Sequence, residues 1–372
     1  MRKRIALLLG ALFLVTAIFA GIQYYVQSKV PEPVAQKSTV GFSQYLTELP
    51  GTDIPDEVAA AYIDELGFEE TLATLTTTRP HCHSEAHALG RVLYNQSKDL
   101  GSAVMQCGRS CTDGCFHGVV MALFGNVGSH THDPNEAEHD PHPVMTDENK
   151  DEIINTLLTL CNDESIKTMT NGRPGDCFHA TGHAALFITS YDTDAALALC
   201  KQFTDLGSQH YCATGVFMER NGAQNAADND VILSHPCEAS TEFAAACYRY
   251  ELQEIHDKKL ATQEDVLAHC QSLTDPAHQR GCFHGYGFAY HYSVQTNLQS
   301  IATLCQHGDT IAQELCVEGA IGAAGNQIPE SIADACAYLP DHLQTACMTG
   351  VRERSFGMNR DFSRYVNIDS ER

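Results

Sequence analysis

Cysteines recur along this 372-residue chain at nearly constant intervals, and that regularity limits the folds open to it. In one series the successive steps are 62, 35, 35, 35, 34 and 31 residues. A period of about 34 residues is typical of helix–turn–helix units that stack on one another. The one long step contains a change of composition at about 126–150, which we interpret as an insertion into a regular repeat. The series is Cys115, Cys177, Cys212, Cys247, Cys282, Cys316 and Cys347.

A second series of cysteines ends the segments that precede the first series. Apolar residues spaced three and four apart lead up to Cys161 and Cys305, which predicts that short amphipathic helices end there. Thr262 and Asp265 resemble a capping box, so we expect a helix to begin at that point. The repeating unit is therefore a helix that ends in cysteine, a loop, and a cysteine that opens the next helix. The second series is Cys161, Cys200, Cys237, Cys270, Cys305 and Cys336.

This arrangement predicts disulfide bonds that close each helix–helix loop. Sixteen cysteines is an even number, and a dense even set is typical of an oxidising compartment. A metal–thiolate protein is the alternative interpretation. Cys82, Cys107, Cys111 and Cys115 should form two more bridges, one of which ties Cys82 to the next repeat, and their pairing stays open. The six expected local pairs are Cys161–Cys177, Cys200–Cys212, Cys237–Cys247, Cys270–Cys282, Cys305–Cys316 and Cys336–Cys347.

The unit that runs from Ala198-Leu199-Cys200 to Cys212-Ala213-Thr214-Gly215 resembles the cysteine-rich Sel-type repeats, which are relatives of the tetratricopeptide repeats. The resemblance extends over about Thr71 to Met358. It implies an all-α fold, an α/α solenoid of about eight disulfide-stapled helix–turn–helix repeats. It also implies a binding scaffold, with a protein or peptide partner in the groove of the solenoid.

The N-terminus combines a basic cluster with a long apolar stretch that carries no charge before Lys29. The stretch is long enough to span a bilayer, so we expect a single-pass membrane protein whose C-terminal domain lies in the periplasm or extracellular space. A cleaved signal peptide is the alternative. A net charge of −24 argues against nucleic acid as a partner. We divide the chain into a cytoplasmic cluster (1–4), a transmembrane signal anchor (5–26), a linker (27–45), an α-repeat ectodomain (46–360) and a tail (361–372).

Histidines recur on the first turns of the helices that open with cysteine. Two pairs have the i, i+4 spacing that places both rings on one face of a helix, and a single histidine lies in the repeat between them. Imidazoles from adjacent packed helices can meet at one ion, and Cu or Zn suits such a site best. The alternative is that each histidine only bonds to a carbonyl group of its loop. The candidate metal ligands are His83, His87, His117, His179 and His183.

The insertion adds four histidines among acidic residues, and it predicts a loop that captures metal for this site. A solvated polar loop is the alternative. Glu85 is a candidate for orienting a ligand ring because it lies between two of the histidines. The histidines of the loop are His130, His132, His139 and His142.

Motifs of zinc proteases, serine hydrolases and nucleotide-binding proteins are missing from the sequence. Arg352, Arg354, Arg360 and Arg364 make the C-terminus locally basic, and we interpret them as a solvated closing helix rather than an anion site. Two functions remain. The chain is a membrane-tethered, exported binding scaffold with a histidine-rich transition-metal site in its first three repeats, or it is a metal-dependent (Cu, Zn or Fe) periplasmic enzyme that uses the same histidines.

Overall fold

The computed structural model of the chain describes residues 39–49, 54–80, 82–124, 150–170, 173–224, 235–238 and 241–366. This part of the chain is helical and contains no strand. The predicted anchor at 5–26 and the predicted metal-capturing loop at 129–142 lie outside these residues. Within them, no helix is both long and apolar enough to cross a bilayer.

Helices follow one another closely along the chain. The α-helices are α1 (Thr39–Glu48), α2 (Asp56–Leu66), α3 (Phe68–Thr78), α4 (His83–Ser97), α5 (Leu100–Cys107), α6 (Gly114–Leu123), α7 (Lys150–Thr159), α8 (Glu164–Thr170), α9 (Gly175–Ile188), α10 (Thr193–Cys200), α11 (Leu206–Gln224), α12 (His235–Glu238), α13 (Ala244–Asp257), α14 (Gln263–Ser272), α15 (Pro276–Ala289), α16 (Tyr292–Thr296), α17 (Ser300–Leu304), α18 (Thr310–Gln327) and α19 (Asp341–Glu353). Turns of 3₁₀-helix are Leu160–Asn162, Thr241–Phe243, Ile332–Tyr338 and Phe362–Arg364.

Eight of these helices, which we call the core helices, each pack against the next one in order. A short helix or 3₁₀ turn precedes most of them and carries the other cysteine of the pair. The predicted capping box at Thr262 and Asp265 is present at the start of α14. The helical repeats predicted from the cysteine spacing are therefore observed. The core helices are α4, α6, α9, α11, α13, α15, α18 and α19.

All six predicted local disulfide bonds are present. The pairing that the sequence left open is Cys82–Cys111 and Cys107–Cys115, so Cys82 is tied to the loop that opens the next repeat. No cysteine is free. The thiolate alternative is excluded in this structure because each sulfur is bonded to another sulfur.

Both ends of the packed region differ from the predicted boundaries. Helix α1 begins inside the stretch assigned to the linker, because Phe42 and Leu46 are fully buried against the following helices. The residues assigned to the tail from 361 onward include Phe362 and Tyr365, which are also buried. Apolar side chains hold both segments in the core.

We call residues 354–366 the C-terminal strap. It crosses several core helices: the strap carbonyl of Phe356 lies beside Gly175 of α9, and Phe362 lies beside Gly207 of α11. Arg249 of α13 donates a hydrogen bond to the carbonyl oxygen of Ser355 (3.3 Å). The prediction of solvated arginines is wrong for Arg360, whose side chain is only 4% exposed, whereas Arg352 on the last helix is 63% exposed.

Glycines allow adjacent core helices to approach until their backbones touch. A Cβ atom on Gly118 of α6 would lie 2.0 Å from the carbonyl oxygen of His87 on α4. A Cβ atom on Gly215 of α11 would lie 1.9 Å from the carbonyl oxygen of His179 on α9. His87 and His179 therefore occupy equivalent places. The two histidine pairs are therefore offset by one helical turn, since His87 is the second member of its pair and His179 the first.

Replacing Gly118 with alanine is expected to destabilise the protein by about 1–3 kcal/mol, because the new methyl group forces α4 and α6 apart. Chemical denaturation followed by circular dichroism measures the loss. Gly101→Ala in α5 is the matched control, since its Cβ atom would meet nothing closer than Ser165 at 3.5 Å. Equal unfolding free energies for the two variants would contradict the close approach.

Candidate metal centre

The five histidines predicted as ligands form one cluster. His117 lies at its middle, and its ring centroid is 4.9 Å from that of His83, 4.8 Å from His183, 5.0 Å from His179 and 5.9 Å from His87. Helix α4 supplies one pair, α6 the central ring and α9 the other pair. The ligand atoms of His83, His117 and His183 all lie within 4.8 Å of one another. That spacing is close enough for the three rings to share a metal ion.

Each pair of histidines brings two Nε2 atoms together. The distance between the Nε2 atoms of His83 and His87 is 3.3 Å, and that between His179 and His183 is 3.2 Å. Two nitrogens bound tetrahedrally to zinc at about 2.0–2.1 Å lie roughly 3.3 Å apart. Both pairs therefore already have the separation of two ligands on one ion.

Hydrogen bonds to Nδ1 define which ring nitrogens carry protons. His83 Nδ1–H donates to the carbonyl oxygen of Thr112 (3.0 Å), and His183 Nδ1–H donates to the carboxylate of Glu219 (2.8 Å). His179 Nδ1–H donates to the hydroxyl oxygen of Thr214 (2.8 Å), because that hydroxyl donates its own proton to the carbonyl of Tyr211. In each neutral ring the Nε2 atom is then left with a bare lone pair.

The unprotonated Nε2 atoms of each histidine pair are stabilised by a positive charge placed between them. With neutral rings, the Nε2 lone pairs of His179 and His183 face each other at 3.2 Å and repel. Either a proton or a metal ion between them removes the repulsion. An Nδ1–H group held by a carboxylate or carbonyl is the usual partner of a histidine whose Nε2 binds metal.

Water is largely excluded from the cluster, which favours the neutral rings that bind metals. His117, His179 and His183 are buried, whereas His83 and His87 are partly exposed. Burial, followed by the charge of His183, lowers the pKa of His83 to about 4. Burial likewise holds the pKa values of His87, His117 and His179 well below the ordinary value of 6.5.

A strained turn presents the carbonyl group of Thr112 to His83. Cys111, Thr112 and Asp113 all have positive φ angles, at 54°, 51° and 66°. Left-handed backbone costs roughly 1–2 kcal/mol per residue outside glycine, so the surroundings must enforce it. The disulfide bond between Cys82 and Cys111 joins this turn to the start of α4, next to His83.

Sequence reasoning missed the groups that surround the ligands. Glu85, the predicted orienting carboxylate, forms an ion pair with Arg79 (3.7 Å), and the carboxylate that contacts a ring of the cluster is Glu219. Thr214 occupies the place after Cys212 that histidine holds after Cys177, so the repeat pattern did contain a signal for it. Phe356 of the strap packs on His179 with ring centroids 5.1 Å apart, and no local pattern pointed to that contact.

Comparison of the chain with protein-family models, with curated proteins and with solved structures finds no match. The resemblance to Sel-type repeats therefore stays a prediction, and the metal centre is argued from its own geometry.

Proposed function

We propose that this protein is a membrane-tethered, exported α/α solenoid that holds one transition-metal ion. The observation that carries the proposal is the convergence of five histidines from α4, α6 and α9, three of which have ligand atoms within 4.8 Å of one another. His83, His117 and His183 are the central ligands in this proposal, and His87 and His179 complete the site. The packing of each core helix on the next supports the solenoid.

Export to an oxidising compartment is supported by the cysteines. Sixteen cysteines form eight disulfide bonds, a state that reducing cytosol does not maintain. The apolar segment 5–26 is our proposed membrane tether, by the length argument given above. The protein or peptide partner and the metal-capturing role of His130, His132, His139 and His142 remain predictions.

Copper or zinc suits the site best. All five proposed ligands are imidazoles, which bind Cu, Zn, Ni and Fe, whereas Mg and Ca prefer oxygen ligands. Copper also binds nitrogen sites most tightly among the divalent first-row ions.

A metal-dependent enzyme is the second candidate. In this candidate only His83, His117 and His183 bind the ion, and three protein ligands leave a coordination position open, which is the pattern of catalytic rather than structural zinc. Partial exposure of His83 and His87 favours this candidate, because it places one side of the cluster within reach of solvent.

Metal content tests the proposal directly. Purified full-length protein, offered Cu, Zn, Ni and Fe at neutral pH and then desalted, is expected to retain about one ion per chain by elemental analysis. Retention of none of the four metals would contradict a metal-holding function.

A further inference from the structure

A second buried cluster of nitrogen-bearing side chains lies between the core helices and the strap. His210 of α11 and His284 of α15 are buried, with ring centroids 6.4 Å apart, and both pack on the ring of Tyr365, at 5.1 Å and 5.0 Å. Arg360 of the strap lies over the same tyrosine, with its Cζ atom 5.9 Å from the ring centroid. Arg249 of α13 also contacts the strap, with its Cζ atom 4.9 Å from the ring centroid of Phe356.

Arg249 is a buried cation without a counter-ion. It is 2% exposed, and no carboxylate of the described residues lies within ion-pair distance of it. Its hydrogen-bond acceptor, the carbonyl oxygen of Ser355, is uncharged, and so is the ring of Tyr250, whose centroid lies 5.4 Å from its Cζ atom. A guanidinium group cannot lose its charge in a protein, so an unpaired one in the interior is costly.

Neighbouring acidic groups are already engaged by other arginines. Glu318 accepts a hydrogen bond from Arg364 (3.0 Å) and lies 3.9 Å from Arg360. Asp176 forms ion pairs with Arg109 (3.0 Å) and Arg173 (3.4 Å). These contacts leave the charge of Arg249 to be balanced by something else.

Aromatic rings cover the faces of Arg249 but leave part of its edge free. Phe288 and Phe356 lie 4.2 Å and 4.9 Å from its Cζ atom, as cation–π partners do. Such contacts use the flat faces of the group, whereas its N–H bonds point outward in the plane. The Nε atom of Arg249 has no hydrogen-bond partner among the described residues.

Three further buried nitrogens in this cluster also lack a hydrogen-bond partner within the described part of the chain. They are Arg360 Nε, His210 Nδ1 and His284 Nδ1. Buried polar groups are normally bonded to protein, water or an ion, so four such atoms in one cluster require an explanation. Burial and the charges of Arg249 and Arg360 hold the pKa values of both histidines well below 6.5.

We propose that Arg249, with Arg360 and His210, binds a small oxyanion or carboxylate at this cluster. Two guanidinium groups and an imidazole N–H match the acceptors of such an anion. An anion neutralises Arg249 and supplies acceptors for the unpartnered N–H groups. The anion site adjoins the metal centre, because Phe356 packs on both His179 and Arg249, but its ligands are different side chains and it does not depend on the proposed function.

Thermal unfolding of the full-length protein tests the anion site, with sulfate, phosphate and acetate as probes. Low-millimolar sulfate or phosphate is expected to raise the melting temperature by about 2–5 °C more than sodium chloride of equal ionic strength. A response to acetate alone would support a carboxylate ligand. Arg249→Met is expected to show no specific response, and without anion it should melt no lower than the wild type because a buried unpaired charge is gone.

Control variants distinguish anion binding from bound water, from a folding defect and from an effect of the metal centre. Arg352→Met removes an arginine whose side chain is 63% exposed, and it should respond like the wild type. His210→Asn provides a second variant should Arg249→Met fail to fold, and it is expected to weaken binding of radiolabelled sulfate at least several-fold. His117→Asn should lose metal and keep the anion response. Wild-type protein that responds to no probe beyond the chloride control, or an unchanged response in both cluster variants, would overturn the proposal and leave water as the partner.

Discussion

Replacing His117 with asparagine is expected to weaken metal binding by about 100-fold or more. His117 is one of three histidines whose ligand atoms lie within 4.8 Å of one another, and its ring contacts the other four rings of the cluster. A 100-fold loss is about 2.7 kcal/mol, about a fifth of the roughly 10–16 kcal/mol that a structural zinc site provides, which is a modest loss for one ligand among three to five. Competition with a chelator of known affinity measures the change.

His284→Asn is the matched control for that variant. His284 stands two residues after Cys282, as His117 does after Cys115, and it is also buried, but it lies in the second cluster. Its loss should leave metal affinity unchanged. Glu219→Gln should fall between the two, at about 10-fold weaker binding, because the carboxylate orients His183 without touching the ion. If His117→Asn bound metal as tightly as the wild type, the proposed metal centre would be wrong.

Reduction of the disulfide bonds is expected to unfold the protein under conditions in which the oxidised form is native. Closing a loop of 12 residues, as Cys200–Cys212 does, contributes about 3 kcal/mol on the chain-entropy model. Eight bridges of comparable size together exceed the roughly 5–15 kcal/mol by which domains are stable. Circular dichroism before and after a strong reductant shows the change.

Removing a single disulfide bond should affect only its own neighbourhood, so metal affinity should fall only when the bond lies beside the metal centre. Cys82→Ser with Cys111→Ser should destabilise the fold and also weaken metal binding, because it releases the turn that holds the carbonyl of Thr112 against His83. Cys336→Ser with Cys347→Ser should lower stability by about 3 kcal/mol and leave metal affinity unchanged. Equal metal affinity in both double variants would contradict the role assigned to the turn.

The repeat architecture was predictable because its signals are local. The spacing of the cysteines and the apolar periodicity before Cys161 and Cys305 depend only on neighbours in the chain, and the helices and all six local bridges follow them. The capping box at Thr262 is likewise a contact within four residues. Four cysteines near the first repeats could not be paired in advance, because the spacing there allows more than one connection.

The candidate ligands were also recognisable from the sequence, since i, i+4 histidines share a helix face whatever surrounds them. The relative placement of the two histidine pairs could not be recognised from the sequence. The offset of one turn between the two pairs depends on which glycine meets which carbonyl group across α4 and α6 or across α9 and α11. That choice is made by backbone packing between helices, and the histidine pattern does not encode it.

The sequence by itself determined the helices, their order, the local disulfide bonds and the set of histidines that can bind metal, because each of these follows from periodicity or short-range spacing. Only the tertiary structure decided which groups surround those histidines and where the C-terminus goes. Glu219 reaches His183, and Phe356 reaches His179 from the strap, across separations that no local pattern records. Two buried arginines depend on the strap for the same reason: Arg249 packs on Phe356, and Arg360, which the sequence had suggested was solvated, lies 3.9 Å from Glu318, and both contacts join residues far apart in the chain.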